Sequence, residues 1–216
     1  MLKRVLFCFF IFGSSLAYGQ SGLGLRAGLS LDKELLADLE LKVNAQLRYA
    51  DNITYLQGYL GELGLAYKIN KHFDVEAYYR YYNKRKNEEK DWKVRHRYYG
   101  EVSYDQKIGA AKFKNRLRYQ HQFKDTEGEI GFDTSYLRNK LEFNFQNKTA
   151  LTPYISADFF YQLSGQGFDL VRTKLGGQYK LSKHQSFDLG IFKDSPLNGA
   201  SSNQNWVLTA NYKFKF

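Results

Sequence analysis

Cysteine is almost missing from this chain of 216 residues: Cys8 is the only one. It lies in an apolar stretch near the start, and Phe7 before it breaks the small-residue rule of a lipoprotein box. The chain beyond that stretch therefore has neither a disulfide nor a thiol nucleophile. Proline is scarce as well, with 2 residues. No later stretch approaches the roughly 20 consecutive apolar residues that a membrane helix needs, and none repeats at helical period. Zinc-ligand spacings, glycine-rich phosphate loops and nucleophile elbows are absent. Gly22-Leu23-Gly24 and Gly176-Gly177 lack the strand–helix setting that would give such glycines a role. No metal or cofactor is expected.

Aromatic residues and charge are what the chain has in quantity: 18 Tyr, 17 Phe, 32 Lys and Arg, and 22 Asp and Glu, for a formal charge of +10. The first residues have the layout of a secretory signal. Lys3 and Arg4 are its charged start, Val5 to Phe12 its apolar centre, and Gly13 to Gly19 its small-residue end. Cleavage after Gly19 is expected, leaving residues 20–216 as one domain. Val5 to Leu16 is too short to span a bilayer as a helix.

The far end alternates apolar and polar without a break. Trp206, Leu208, Ala210, Tyr212, Phe214 and Phe216 fall on one face of a strand, and Thr209, Asn211, Lys213 and Lys215 on the other. A last strand ending in Phe216 resembles the signal by which the bacterial outer-membrane assembly machinery recognises its clients. The same alternation runs back through Gln185 to Lys193, Phe168 to Leu181, Pro153 to Ser164, Ser135 to Asn147, Ala111 to Phe123 and Trp92 to Tyr104. It continues from Phe73 to Tyr82, Tyr55 to Ile69 and Leu39 to Tyr49. Short connections alternate with longer polar ones, Lys124 to Asp133 among the latter. The pattern predicts an all-β fold, a transmembrane up-and-down antiparallel β-barrel. Ten strands are expected, with twelve as the alternative, because bacterial barrels use even numbers. Gly22 to Leu31 also alternates, stops at Asp32-Lys33, and is left over as an eleventh segment. Tyr49, Tyr55, Tyr67, Trp92, Tyr104, Phe123 and Trp206 fall near strand ends and are expected in interface girdles.

The polar faces form the expected lumen, and they are basic. Arg48, Arg80, Arg95, Arg97, Lys114, Arg116, Arg118, Arg138, Lys140, Arg172 and Lys174 point inward, with Glu40, Glu62, Glu76, Glu101 and Glu142 as counter-charges. If each cation meets a carboxylate, the charges are struts that fill a narrow barrel. If cations are left over, they line a narrow porin-like channel or binding tube for small anions or acidic oligosaccharides. A lipid-modifying enzyme is a further alternative, and His121 and His96 on the apolar register are its candidates. No serine and asparagine stand at positions that would complete such a site, so no catalytic residue is assigned. Nucleic acid is not expected as a partner, because the aromatics lie on the face opposite the basic residues.

The mature chain resembles the domain of unknown function 2490 family of small Gram-negative outer-membrane barrels. The likeness rests on the export signal, Glu40 through Arg48, Tyr78-Tyr79-Arg80-Tyr81-Tyr82, the Arg95/Arg97 and Arg116/Arg118 pairs, and the Phe216 ending. The family brings no established activity. The basic lumen is also similar, in architecture alone, to porins that take up acidic oligogalacturonates. A monomer in the bacterial outer membrane is expected, assembled through Phe216, with lipids around it and lipopolysaccharide phosphates near the basic loop residues Lys84, Arg85 and Lys86.

Overall fold

The computed structural model describes residues 22–85, 90–126, 128–165, 167–197 and 206–216. The expected signal peptide, residues 1–19, and Lys86 lie outside the described residues. Eleven strands follow one another: β1 (Gly24–Leu36), β2 (Leu39–Ala50), β3 (Tyr55–Lys68), β4 (Phe73–Lys84), β5 (Lys93–Ile108), β6 (Ala111–Thr126), β7 (Glu129–Phe145), β8 (Leu151–Gln162), β9 (Gly167–Lys180), β10 (Gln185–Pro196) and β11 (Trp206–Lys215). Each pairs antiparallel with the next, and β1 pairs parallel with β11 to close the barrel.

The strand count is eleven rather than ten or twelve. An even count joins the first and last strands antiparallel, whereas an odd one must join them parallel. Here Gly24 to Asp32 run alongside Val207 to Lys215 in the same direction. The leftover segment is a full wall strand. It does not stop at Asp32-Lys33, because Asp32 faces inward and binds Lys213 at 2.5 Å, which satisfies its charge within the wall. At its other end, the β2–β3 turn holds it: Ile53 N donates to Leu23 O at 3.1 Å, and Leu23 N to Asn52 Oδ1 at 3.0 Å.

The segment read as a loop, Lys124 to Asp133, is largely strand. β6 runs to Thr126 and β7 starts at Glu129. Gly128 takes φ 90°, open to glycine, and its N–H is received by Asp125 Oδ1 at 3.0 Å. A register shift at Gln122/Phe123 changes which side chains face inward above it and turns Asp133 into the lumen. β5, β6 and β7 are consequently the longest strands, at 16, 16 and 17 residues.

Alternation along each strand makes two surfaces. The outer one is apolar and exposed, with Val43, Leu63, Val102, Leu117, Phe143, Ile155, Leu175 and Leu189 among its members. Aromatics group near its margins, as in Tyr59 against Trp92 at 5.5 Å and Phe73 against Tyr104 at 5.0 Å. The inner surface carries the charges, so the barrel interior is a polar core. The end bearing Phe216 has the tight turns and is called the turn end. The opposite end, with the β4–β5 and β10–β11 connections, is the loop end.

Candidate functional site

The turn-end half of the lumen is filled. Lys42 Nζ meets Glu76 Oε1 at 3.0 Å, and Tyr78 donates to the same carboxylate. The Tyr78 ring stacks on Tyr99 at 4.8 Å, and the Arg118 guanidinium lies over the other ring at 4.0 Å. Arg118 in turn binds Glu101, which is 6% exposed, and Arg116 lies 3.8 Å from the same carboxylate. Arg138 binds Asp158, and Lys140 binds Glu142. Tyr154 donates to Asp188 at 2.8 Å, and its ring lies flat over Gly176 on the next strand. A Cβ at Gly176 would sit 2.5 Å from the Tyr154 ring, so only glycine leaves room for it. These are ion pairs and hydrogen bonds among buried charges, which is how a water-poor interior tolerates them, although Arg116 Nε, Arg138 Nε and Asp158 Oδ1 stay buried without a hydrogen bond.

The loop-end half is different. A cavity of about 900 Å³ opens into it from the middle of the barrel, bordered by twelve cationic side chains and five carboxylates, with Arg116, Arg118, Arg138, Lys140, Asp158 and Asp188 forming its floor on the filled part. Ten of the eleven basic residues expected in the lumen border it: Arg48, Arg80, Arg95, Arg97, Arg116, Arg118, Arg138, Lys140, Arg172 and Lys174. Lys114 does not; it lies toward the turn end, in register with Asp105 and Glu142. Of the expected counter-charges only Glu62 borders the cavity, bound to Arg80 at 2.5 Å. Glu76, Glu101 and Glu142 lie outside its lining, and Glu40 is at the turn-end rim on Lys215.

Several cavity residues went unrecognised in the sequence. Arg26 belongs to the strand that was left over. Asp133 was assigned to a loop, and it now meets Arg95 at 3.4 Å. Phe160 and Phe192 are apolar residues on the inner surface, and strand parity with Asp158 and Asp188 was the signal that would have placed them. Each serves as a face for guanidinium groups. Arg138 lies 4.0 Å over Phe160, Arg172 is 4.2 Å over Phe192, and Arg26 is 4.6 Å over Phe192 from β1. Stacking covers the faces of these groups and leaves their N–H edges to be bonded. Arg172 uses two of its edges on Asp194, at 2.6 and 2.7 Å.

On the outer surface His121 Nδ1 lies 2.9 Å from Ser135 Oγ, and Tyr119 hydroxyl meets its other ring nitrogen. Serine and histidine are thus adjacent, which the sequence did not reveal, because they meet across the β6–β7 pair. Ser135 is 5% exposed, so its hydroxyl is not presented to a substrate. His96 Nδ1 is engaged by Tyr79 hydroxyl at 2.7 Å. No group of three or more His, Cys, Asp or Glu suited to a metal occurs among the described residues.

A family model described as a protein of unknown function, DUF2490, matches residues 27–205, from within β1 through the end of β10; Arg26 precedes the matched stretch and Lys213 follows it. No curated protein matches the chain closely enough to lend it an activity. The match covers most of the barrel, and the chain belongs to that family.

Proposed function

We propose that this protein is an outer-membrane β-barrel whose lumen takes small anionic solutes at its loop end, as a binding tube or narrow channel. The observation that carries this reading is the cavity bordered by twelve cations, of which Arg26, Arg48, Lys84 and Arg97 have no carboxylate within ion-pair distance among the described residues. A low-dielectric wall concentrates such a field and draws anions into the mouth. Lys93 and Lys124 add positive charge around that mouth. The apolar outer surface and strands of 10 to 17 residues support a place in a bilayer, which needs about 9–11 residues per strand. With Phe216 in the periplasm, the cavity opens outward to acidic saccharides and other anions in the medium.

A second reading, a closed barrel with a structural or surface role, is favoured by the filled turn-end half. Planar-bilayer recordings on the refolded chain under a salt gradient, with calorimetric titration of glucuronate and inorganic phosphate, separate the two. Anion-selective current supports the channel form, and binding without current supports the tube. A folded barrel that neither conducts nor binds either anion overturns the proposal in favour of the closed barrel. The lipid-modifying alternative would need a presented nucleophile, and the buried Ser135 is a poor one.

A further inference from the structure

Inside the barrel, several cations stand directly opposite other cations on the neighbouring strand. Arg80 faces Arg97, Arg118 faces Arg138, Arg116 faces Lys140, and Arg26 faces Arg48. Like charges in that position repel. In the first three pairs at least one member holds a carboxylate: Glu62 on Arg80, Glu101 on Arg118, Glu142 on Lys140. The Arg26/Arg48 pair stands apart, because neither member has a carboxylate within ion-pair distance among the described residues.

Its surroundings make the gap specific. Asp194 acts on Arg26 from a distance, but it is held by two bonds from Arg172. Arg48 donates one N–H to Gln46 Oε1 at 2.8 Å. Ring faces fix both guanidinium groups, Arg26 on Phe192 at 4.6 Å and Arg48 on Tyr82 at 4.6 Å. Gly58 has no side chain to block the Tyr82 ring, which lies across it. Two stacked forks therefore sit side by side at the cavity wall, with N–H groups left over once Arg48 has met Gln46 and the Tyr82 hydroxyl. Planar forks of this kind match an oxyanion in two bonds each.

We infer that Arg26 and Arg48 form a discrete subsite for one oxyanion group, a carboxylate or a phosphoryl, of the solute that enters the lumen. The inference rests on the reading of the lumen as anion-binding, and deepens it by naming the residues and the group they hold. The bound oxyanion supplies the counter-charge that the wall withholds here and supplies elsewhere. Gln46 borders the cavity beside the pair, and Thr209 and Asn211 border it from β11, so hydroxyl groups next to the oxyanion find polar partners. A hydroxylated acid fits this wall better than a bare aliphatic one.

The test uses the refolded full barrel and titrates glucuronate, inorganic phosphate and, as neutral control, glucose. Arg26→Gln and Arg48→Gln are each expected to weaken anion binding about ten- to a hundredfold, the value of a lost hydrogen bond to a charged group. Glucose should not bind measurably to any of them. Glucuronate held more tightly than phosphate assigns the carboxylate, and the reverse assigns the phosphoryl. Heat-modifiable gel mobility reports folding. If a glutamine variant fails to fold, Arg48→Lys keeps the charge and removes the fork, and it should still lose most of the affinity. Anion binding that survives in Arg26→Gln and Arg48→Gln but falls in Arg97→Gln overturns this subsite and leaves the anion-binding lumen standing. No anion binding in the unmodified protein overturns both.

Discussion

The two halves of the lumen are built from the same residue types and behave as opposites. At the turn end, cations, carboxylates and tyrosines interlock until little space is left. At the loop end, the same wall positions carry arginines in excess of their partners, around a cavity of about 900 Å³. The difference is one of counter-charge and side-chain bulk rather than of backbone, since the strands run through both. A polar interior thus serves as a strut where it is satisfied and as a receptor where it is not.

The largest effect expected from breaking this contrast is at Glu101. Glu101→Gln leaves Arg118 and Arg116 as buried cations without their shared carboxylate, which costs about 3–5 kcal/mol. Guanidinium unfolding of the refolded protein in micelles should show it as a lowered midpoint. An unchanged midpoint would mean that the turn-end half does not depend on pairing. Next is Gly176→Ala, which pushes a methyl group into the Tyr154 ring and should cost about 1–3 kcal/mol by the same measurement. The smallest effect has the opposite sign. Arg97 faces Arg80 and, among the described residues, bonds only the Gln122 amide oxygen, so Arg97→Gln should leave stability unchanged or raise it by up to about 1 kcal/mol. A large loss there would show that Arg97 is a strut after all, and the division into two halves would fail.

Much of this was legible in the chain, and the limits follow from physics. Alternation has period two, so it fixes which residues face inward along each strand without any tertiary information. That is why ten of the eleven expected lumen cations border the cavity. Partner choice across strands depends on register, which a single strand's pattern does not contain. Nothing in the spacing of Arg118 tells that it meets Glu101 and not another carboxylate. Arg26 was passed over because the even-number rule left its strand without a place. Lys124 to Asp133 read as a loop because charged, polar residues dominate it, although the extended β6–β7 hairpin holds both sides in strand. Ser135 and His121 are 14 positions apart, a separation that only hairpin pairing turns into contact.

The parallel seam between β1 and β11 has a consequence for how such a molecule comes into being. Ser30 and Asn211, bonded at 2.9 Å across it, are 181 positions apart in the chain. Every other junction can zip from a local turn, whereas this one waits for the last strand to arrive. Until then two unpaired edges are exposed, each able to recruit a foreign strand. A chain cut short before β11 therefore loses its means of shutting, and the first and final strands are the natural handles for any factor that escorts it.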